Sequence, residues 1–237
     1  MKSKRHSWQS PSLGKKVFIT VYGTEGTPIL AFPGDSGSMS DWETNGLIHA
    51  LSYQIENGYN RIYCVESVDN ESFFNTDVKP QIRISRHRQY ERYVVDEVLP
   101  FIRKTSGDVF IMAAGIHMGG YQALNLLLKH PTLIRKAISI GGRFQIRPFM
   151  GDYFDDSVYF NNPLEYLPNL DDRDLLEAIR STDIRLIVTP DDPYVDLNYM
   201  LSDVLRSKAI EHIFDYWIET GEHPREIWGN IMQRHVP

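Results

Sequence analysis

The chain has 237 residues and a formal net charge of −6, with 42% hydrophobic and 24% charged residues. This balance is typical of a globular protein and excludes a disordered chain. The negative charge argues against nucleic-acid binding, which normally requires clustered Lys and Arg. No stretch approaches the roughly 20 apolar residues of a membrane span, and no signal-peptide-like apolar run follows the basic amino terminus. One domain over residues 1–237 is expected.

A single cysteine, Cys64, excludes an intrachain disulfide. Low cysteine usage favours a reducing compartment, so we expect a cytoplasmic protein. The expected partner is a neutral or small molecule, with no nucleic acid, no membrane and no cofactor. Assembly into a homo-oligomer is compatible with the sequence.

Short β-rich runs alternate with helical patterns along the chain. The predicted strands are residues 16–22, 28–32, 61–65, 108–114, 136–140, 184–189 and 212–218. The predicted helices are residues 87–104, 119–130, 197–207 and 225–234. This alternation predicts an α/β fold with a mostly parallel central sheet flanked by helices. Residues 149–170 are rich in aromatic residues but have no sustained period, which predicts an irregular insertion beside the site.

A Gly-x-His-x-Gly-Gly motif, residues 115–120, lies between a predicted strand and a predicted helix. In a nucleophile elbow, glycines allow the chain to turn sharply there. The central side chain then stands above the carboxyl edge of the sheet, at the start of a helix. In this chain the central residue is His117.

Acid and histidine candidates follow the motif in the order expected of an α/β-hydrolase. Asp192 lies in a Pro-Asp-Asp-Pro turn after the predicted strand 184–189, and Asp191 is the alternate acid. His223 follows the last predicted strand. The alternative interpretation is that the aspartates only shape a turn, a common use of Asp and Pro, and that His223 is an exposed loop histidine.

The elbow resembles that of the esterase D and feruloyl-esterase-like family, which carries serine where this chain carries His117. The matching positions are Gly115, Met118, Gly119, Gly120, Tyr121, Ala123, His130 and Pro131. The resemblance implies an α/β-hydrolase fold and carboxylic ester hydrolysis, with Asp192 orienting His223. It also implies that the partner is a small-molecule ester or ester-like ligand. The usual His-Asp-Trp continuation is absent, although Trp228 follows a few residues later.

The same resemblance implies an oxyanion hole. The segment Phe32-Pro33-Gly34-Asp35 stands where the family has its oxyanion loop. The hole would combine the backbone N–H of Met118 with that of Asp35 or Ser36. On residue types alone, this segment also fits an ordinary loop at the end of a strand.

The role of His117 is left open by the sequence. Its imidazole can attack an activated ester, giving weak or altered hydrolysis, or it can act as a base for Ser36 or Ser38. With His223 and Asp192 it forms a ligand set that suits Zn²⁺ or Fe²⁺. A catalytically silent ligand-binding protein is a further alternative. Because the surrounding motif is intact, His117 also fits a substitution introduced deliberately into an active or designed serine hydrolase.

Overall fold

A computed structural model describes residues 2–107, 110–218 and 224–237. The strands are β1 (Ser3–Gln9), β2 (Lys16–Tyr22), β3 (Thr27–Ala31), β4 (Asn60–Val65), β5 (Met112–Ile116), β6 (Lys136–Ile140), β7 (Asp183–Val188) and β8 (Ile213–Tyr216). The helices are α1 (Asp41–Thr44), α2 (Leu47–Ala50), α3 (Ser52–Glu56), α4 (Pro80–Tyr93), α5 (Leu99–Ser106), α6 (Met118–Lys129), α7 (Asp156–Tyr159), α8 (Pro163–Tyr166), α9 (Arg173–Arg180), α10 (Val195–Ser207) and α11 (Pro224–His235).

The strands form one sheet in the order β1-β2-β4-β3-β5-β6-β7-β8. The first two pairings, β1 with β2 and β2 with β4, are antiparallel, and all later neighbours are parallel. The predicted α/β-hydrolase fold with a mostly parallel sheet is therefore confirmed. Because the carboxyl ends of parallel strands meet at one edge, the loops after β3, β5, β6 and β7 converge there.

Both faces of the sheet are covered. Leu30 of β3 belongs to a core that includes residues of α4, α5 and α6, whereas its neighbours Ile29 and Ala31 belong to a second core with α1, α2 and α11. Successive strand residues point to opposite faces, which explains why the central strands are continuous apolar runs. This two-sided packing fixes the strand ends that carry the site.

The structure differs from the prediction mainly at the periphery. Strand β1 was not predicted, because Ser3–Gln9 is mostly exposed and lacks apolar alternation. The short helices α1, α2 and α3 and the longer α9 were also missed. The segment predicted as an irregular insertion contains α7 and α8. Throughout the described ranges, each helix is too short or too polar to span a bilayer.

The helix predicted from residue 87 begins earlier, at Pro80. It continues through a π-helical turn at Val94–Val98 into α5, which ends at Ser106. The first two turns of α4 were missed because they carry charged and polar residues in place of a regular apolar stripe. The strand predicted at 108–114 runs instead over Met112–Ile116, and residues 108 and 109 lie outside the described part.

Candidate active site

A sharp turn joins β5 to α6 through a single residue, His117. Its backbone has φ 51° and ψ −109°. Residues other than glycine rarely adopt this region, and holding one there costs about 1–3 kcal/mol of conformational free energy. The turn is held because the N–H of His117 donates to the carbonyl of Ile140 at 2.9 Å. The carbonyl of His117 accepts the N–H of Tyr121, also at 2.9 Å. The backbone geometry of the elbow is thus present without a serine.

A close backbone contact explains why residue 119, in the first turn of α6, is a glycine. A Cβ on Gly119 would lie 2.3 Å from the carbonyl oxygen of Pro33. The first turn of α6 therefore packs directly on the loop that follows β3. This contact brings the loop's side chains to the elbow.

The imidazole of His117 faces the carboxylate of Asp192, with 3.9 Å between Nε2 and Oδ2. The Asp192 side chain is only 3% exposed, and its Oδ1 accepts the N–H of Tyr194 at 2.8 Å. Burial raises the pKa of Asp192, although the N–H of Tyr194 and the nearby His117 oppose this rise. The result is a buried acid placed against a partly exposed imidazole.

Room for Asp192 depends on the glycine that follows β6. Gly141 has φ 54°, and a Cβ there would lie 1.7 Å from Asp192 Oδ2. The rings of Tyr194 and Trp228 approach His117 edge-on, at centroid distances of 5.4 and 6.0 Å. The imidazole is therefore enclosed by an acid and two aromatic rings.

Of the predicted acid and histidine residues, the structure brings Asp192 to His117. Asp191 is exposed. His223 lies outside the described residues, so its pairing with Asp192 stays a prediction. Within the described ranges, no three His, Cys, Asp or Glu side chains are grouped so that they could hold a metal ion. The metal site suggested from His117, His223 and Asp192 includes a residue outside these ranges, so it stays a prediction.

Two of the backbone donors predicted for the oxyanion hole, those of Met118 and Ser36, are directed to carboxylates of the chain itself. The N–H of Met118 donates to Asp35 Oδ1 at 3.0 Å. The N–H of Ser36 donates to Asp69 Oδ2 at 3.1 Å. Asp35 thus contributes its side chain to the predicted hole, as an acceptor at the N-terminal end of α6.

Asp69, which the sequence reasoning missed, lies beneath this loop and is only 2% exposed. Burial raises its pKa to about 6, while the N–H of Ser36 acts in the opposite direction. The charge of Asp35 raises the pKa further, and that of Arg143 lowers it. Asp69 follows β4 by four residues, so the rule of converging strand ends offered only a weak signal for it.

Arg143 is a second residue that sequence reasoning did not assign to the site. It follows β6, and its Nη1 lies 3.7 Å from Asp35 Oδ2. Its guanidinium carbon lies 4.4 Å from the ring centroid of Phe149 and 5.1 Å from that of Tyr194. Aromatic faces stabilise a guanidinium and fix its orientation. In the sequence, its position just after a predicted strand was the signal that could have placed Arg143 near the site.

The serine hydroxyls suggested as relocated nucleophiles have other partners. Ser36 Oγ donates to Asn70 Oδ1 at 2.8 Å. Ser38 Oγ is hydrogen-bonded to Ser40 Oγ at 2.9 Å. Neither hydroxyl is hydrogen-bonded to His117, so the structure does not show the contact that base activation by His117 would need.

Comparison with solved structures finds many similar folds. A ferulic acid esterase matches with a TM-score of 0.78 and 18% identity, over 99% of this chain and 96% of that one. An S-formylglutathione hydrolase from Agrobacterium tumefaciens matches with a TM-score of 0.76 and 13% identity, over 99% and 92%. The fluorophosphonate-binding serine hydrolase F of Staphylococcus aureus gives 0.73 and 16%, over 98% and 96%. These similarities show the fold.

The family model described as "Putative esterase" matches residues 34–166, more than half of the chain. The matched segment includes the loop after β3 from Gly34 onwards, the elbow and Arg143. No curated protein matches the sequence. The chain belongs to this esterase family.

Proposed function

We propose that the protein hydrolyses activated carboxylic esters weakly, with the imidazole of His117 in the place of the serine hydroxyl. The observation that carries this proposal is the 3.9 Å separation between His117 Nε2 and Asp192 Oδ2. In a serine hydrolase, an acid orients the neighbouring imidazole. Here the acid after β7 faces the imidazole of the elbow itself.

The orientation of His117 supports a specific use of its two nitrogens. A carboxylate facing Nε2 favours the tautomer with the proton on Nε2, which leaves the lone pair on Nδ1. Nδ1 attacks the ester carbonyl carbon, and the alkoxide or phenolate leaves with the electron pair of the broken C–O bond. The acylated imidazole then loses its Nε2 proton towards Asp192 and solvent, which gives a neutral acyl-imidazole; Nε2 regains a proton when the C–N bond breaks. Water then adds to the acyl-imidazole, the C–N bond breaks, and the carboxylic acid and free His117 are released.

The leaving group must be a good one for this reaction. The N–H of Met118 already donates to Asp35, so it gives no free hydrogen bond to the developing oxyanion. A stable leaving group such as p-nitrophenolate needs little help from a general acid. Activated aryl esters are therefore the substrates on which His117 would act measurably.

The test compares p-nitrophenyl acetate hydrolysis by the unaltered chain, His117→Ala, Asp192→Asn and His49→Ala. His49 is an exposed histidine on α2 and serves as the matched control. We expect His117→Ala to lose at least tenfold in kcat/KM, Asp192→Asn to lose less, and His49→Ala to match the unaltered chain. Equal rates for the unaltered chain and His117→Ala would overturn the proposal.

A rapid-mixing experiment on the unaltered chain separates the nucleophile from a base. Attack by Nδ1 predicts an initial burst of p-nitrophenolate, up to one equivalent of protein, wherever hydrolysis of the acyl-imidazole is slower than its formation. Addition of hydroxylamine, which traps acyl groups, should then raise the steady rate. If activity depends on His117 but hydroxylamine changes nothing, the imidazole acts as a base on water.

A second candidate function is ligand binding without turnover. It is favoured by the carboxylate of Asp35 on the N–H of Met118, because a fixed negative charge there opposes an oxyanion. Under this alternative the unaltered chain hydrolyses p-nitrophenyl acetate no faster than His117→Ala. The same measurement therefore decides between the two functions.

A further inference from the structure

The carboxylate of Asp35 is bound as a ligand carboxylate would be. One oxygen accepts the N–H of Met118 at 3.0 Å, at the start of the twelve-residue helix α6. The other oxygen lies 3.7 Å from Nη1 of Arg143. A backbone N–H and a guanidinium thus hold one anionic group from two sides. Both are favourable partners for a carboxylate.

Arg143 is held in position by its surroundings. Its guanidinium lies near the rings of Phe149 and Tyr194, and its backbone N–H donates to the carbonyl of His117 at 3.2 Å. A side chain fixed in this way loses little conformational entropy when an anion binds. The cation is therefore ready to bind a carboxylate beside the elbow.

The side chain of Asp35 is a weakly held occupant. It is 35% exposed, and its only described partners are one hydrogen bond and the ion pair at 3.7 Å. Two other acids at this edge, Asp69 and Asp192, accept the backbone N–H groups of Ser36 and Tyr194. Rotation of the Asp35 side chain towards solvent would break neither of these hydrogen bonds.

We propose that the site binds a small molecule bearing a carboxylate, which replaces the Asp35 side chain between the Met118 N–H and Arg143. The apolar part of the ligand would lie against the rings of Phe149 and Tyr194. The inference deepens the proposed function by naming the ligand class, and it rests on the same edge of the sheet. It does not depend on turnover.

The test is isothermal titration calorimetry with benzoate, and with benzamide as its neutral counterpart. Asp35→Ala removes the competing carboxylate, and we expect it to bind benzoate at least tenfold more tightly than the unaltered chain. Arg143→Gln in the Asp35→Ala background should weaken benzoate binding at least tenfold. Arg147→Gln in the same background is the matched control, because Arg147 pairs with Glu165 and stacks on Phe154 instead. It should bind benzoate as Asp35→Ala does.

Three results would overturn the inference: no benzoate binding to folded Asp35→Ala at millimolar concentration, equal affinities for benzoate and benzamide, or equal losses in the Arg143 and Arg147 variants. Circular dichroism establishes that each variant is folded. Because benzoate contains no ester bond, its binding is independent of His117 chemistry. Benzoate binding without hydrolysis would contradict only the proposed function, and the reverse result would contradict only this inference.

Discussion

Two regions of the molecule combine carboxylates with basic groups, and they do so differently. On the helical layer, Glu91 lies 2.5 Å from Lys129 Nζ and 3.1 Å from His130 Nε2. Burial alone would raise the pKa of Glu91, but the hydrogen bond from His130 and the charge of Lys129 lower it to about 2. At the sheet edge, the corresponding separations are 3.9 Å for His117 and Asp192 and 3.7 Å for Arg143 and Asp35.

This difference shows how similar residues can stabilise the fold in one place and leave room for a ligand in another. The Glu91 cluster is closed, because short ion pairs and hydrogen bonds satisfy its charges and stabilise the ionised acid. At the sheet edge, burial dominates and raises the pKa of Asp192. Longer separations leave hydrogen-bonding capacity for a ligand. Incomplete pairing near an elbow is therefore a better indication of a site than the residue types alone.

The largest expected effect comes from changing His117 and Asp35 together. His117→Ser restores a hydroxyl, with His223 as the predicted base, but Asp35 still occupies the Met118 N–H. We expect His117→Ser/Asp35→Ala to exceed His117→Ser about 100-fold in p-nitrophenyl acetate kcat/KM, because one oxyanion donor is worth about 10²–10³. His117→Ser/Asp191→Ala, with an exposed acid removed, is the control. Equal rates in all three variants would show that Asp35 does not limit the oxyanion hole.

The closed cluster is tested by Glu91→Gln, measured by urea unfolding. Since the pKa of Glu91 in the folded chain is lowered from 4.5 to about 2, ionised Glu91 stabilises the fold above its ordinary pKa. That stabilisation is lost as the pH falls towards 2. At pH 7 we expect the variant to lose about 3 kcal/mol. A loss no greater than that of an exposed variant such as Glu177→Gln would mean that the cluster is not structural.

Asp69 gives the opposite pH dependence. Its pKa is raised from 3.8 to about 6, so between these values the folded chain binds more protons than the unfolded chain. Stability therefore falls as the pH rises through this window. Asp69→Asn keeps an acceptor for Ser36 without the charge, and we expect it to be about 2 to 3 kcal/mol more stable than the unaltered chain at pH 7. Urea unfolding at pH 7 and pH 3.5 should show this gain disappearing in acid, and a pH-independent difference would contradict it.

The smallest expected effect is that of Asp35→Ala on stability. Partly exposed ion pairs are worth about 0–1 kcal/mol, and Asp35 is 35% exposed. We expect its removal to change the free energy of unfolding by less than about 1 kcal/mol. Thermal and urea unfolding of Asp35→Ala and Glu91→Gln side by side would measure the contrast directly. A loss as large as that of Glu91→Gln would mean that Asp35 stabilises the fold as strongly as the Glu91 cluster does.

The sequence predicted most of the sheet because its central strands are apolar on both faces. The Gly-x-His-x-Gly-Gly motif located the elbow, since its glycines are required by backbone contacts such as that of Gly119 with Pro33. The peripheral strand β1 and the short helices α1, α2 and α3 were missed. Their ordering depends on contacts with the rest of the fold, which local periodicity does not encode.

The site was predicted only in part, because side-chain partners are set by tertiary structure. The loop after β3 was recognised, but its family likeness suggested Asp35 or Ser36 as backbone donors. The structure shows in addition that the Asp35 carboxylate accepts the Met118 N–H. Arg143 and Asp69 lie far from the motif in sequence, so only the fold brings them to it. The role of His117 remains a prediction, as does the pairing of Asp192 with His223.

The hydrogen bond between Met118 and Asp35 joins positions 83 residues apart. It can form only after β3 and β5 have paired, a pairing that sets Ala31 opposite Ala114. We expect such a contact to form after the strand pairing that permits it, so that Asp35→Ala changes the unfolding rate more than the refolding rate. On this expectation, Asp35 affects how long the loop after β3 stays bonded to α6, rather than how quickly the chain folds.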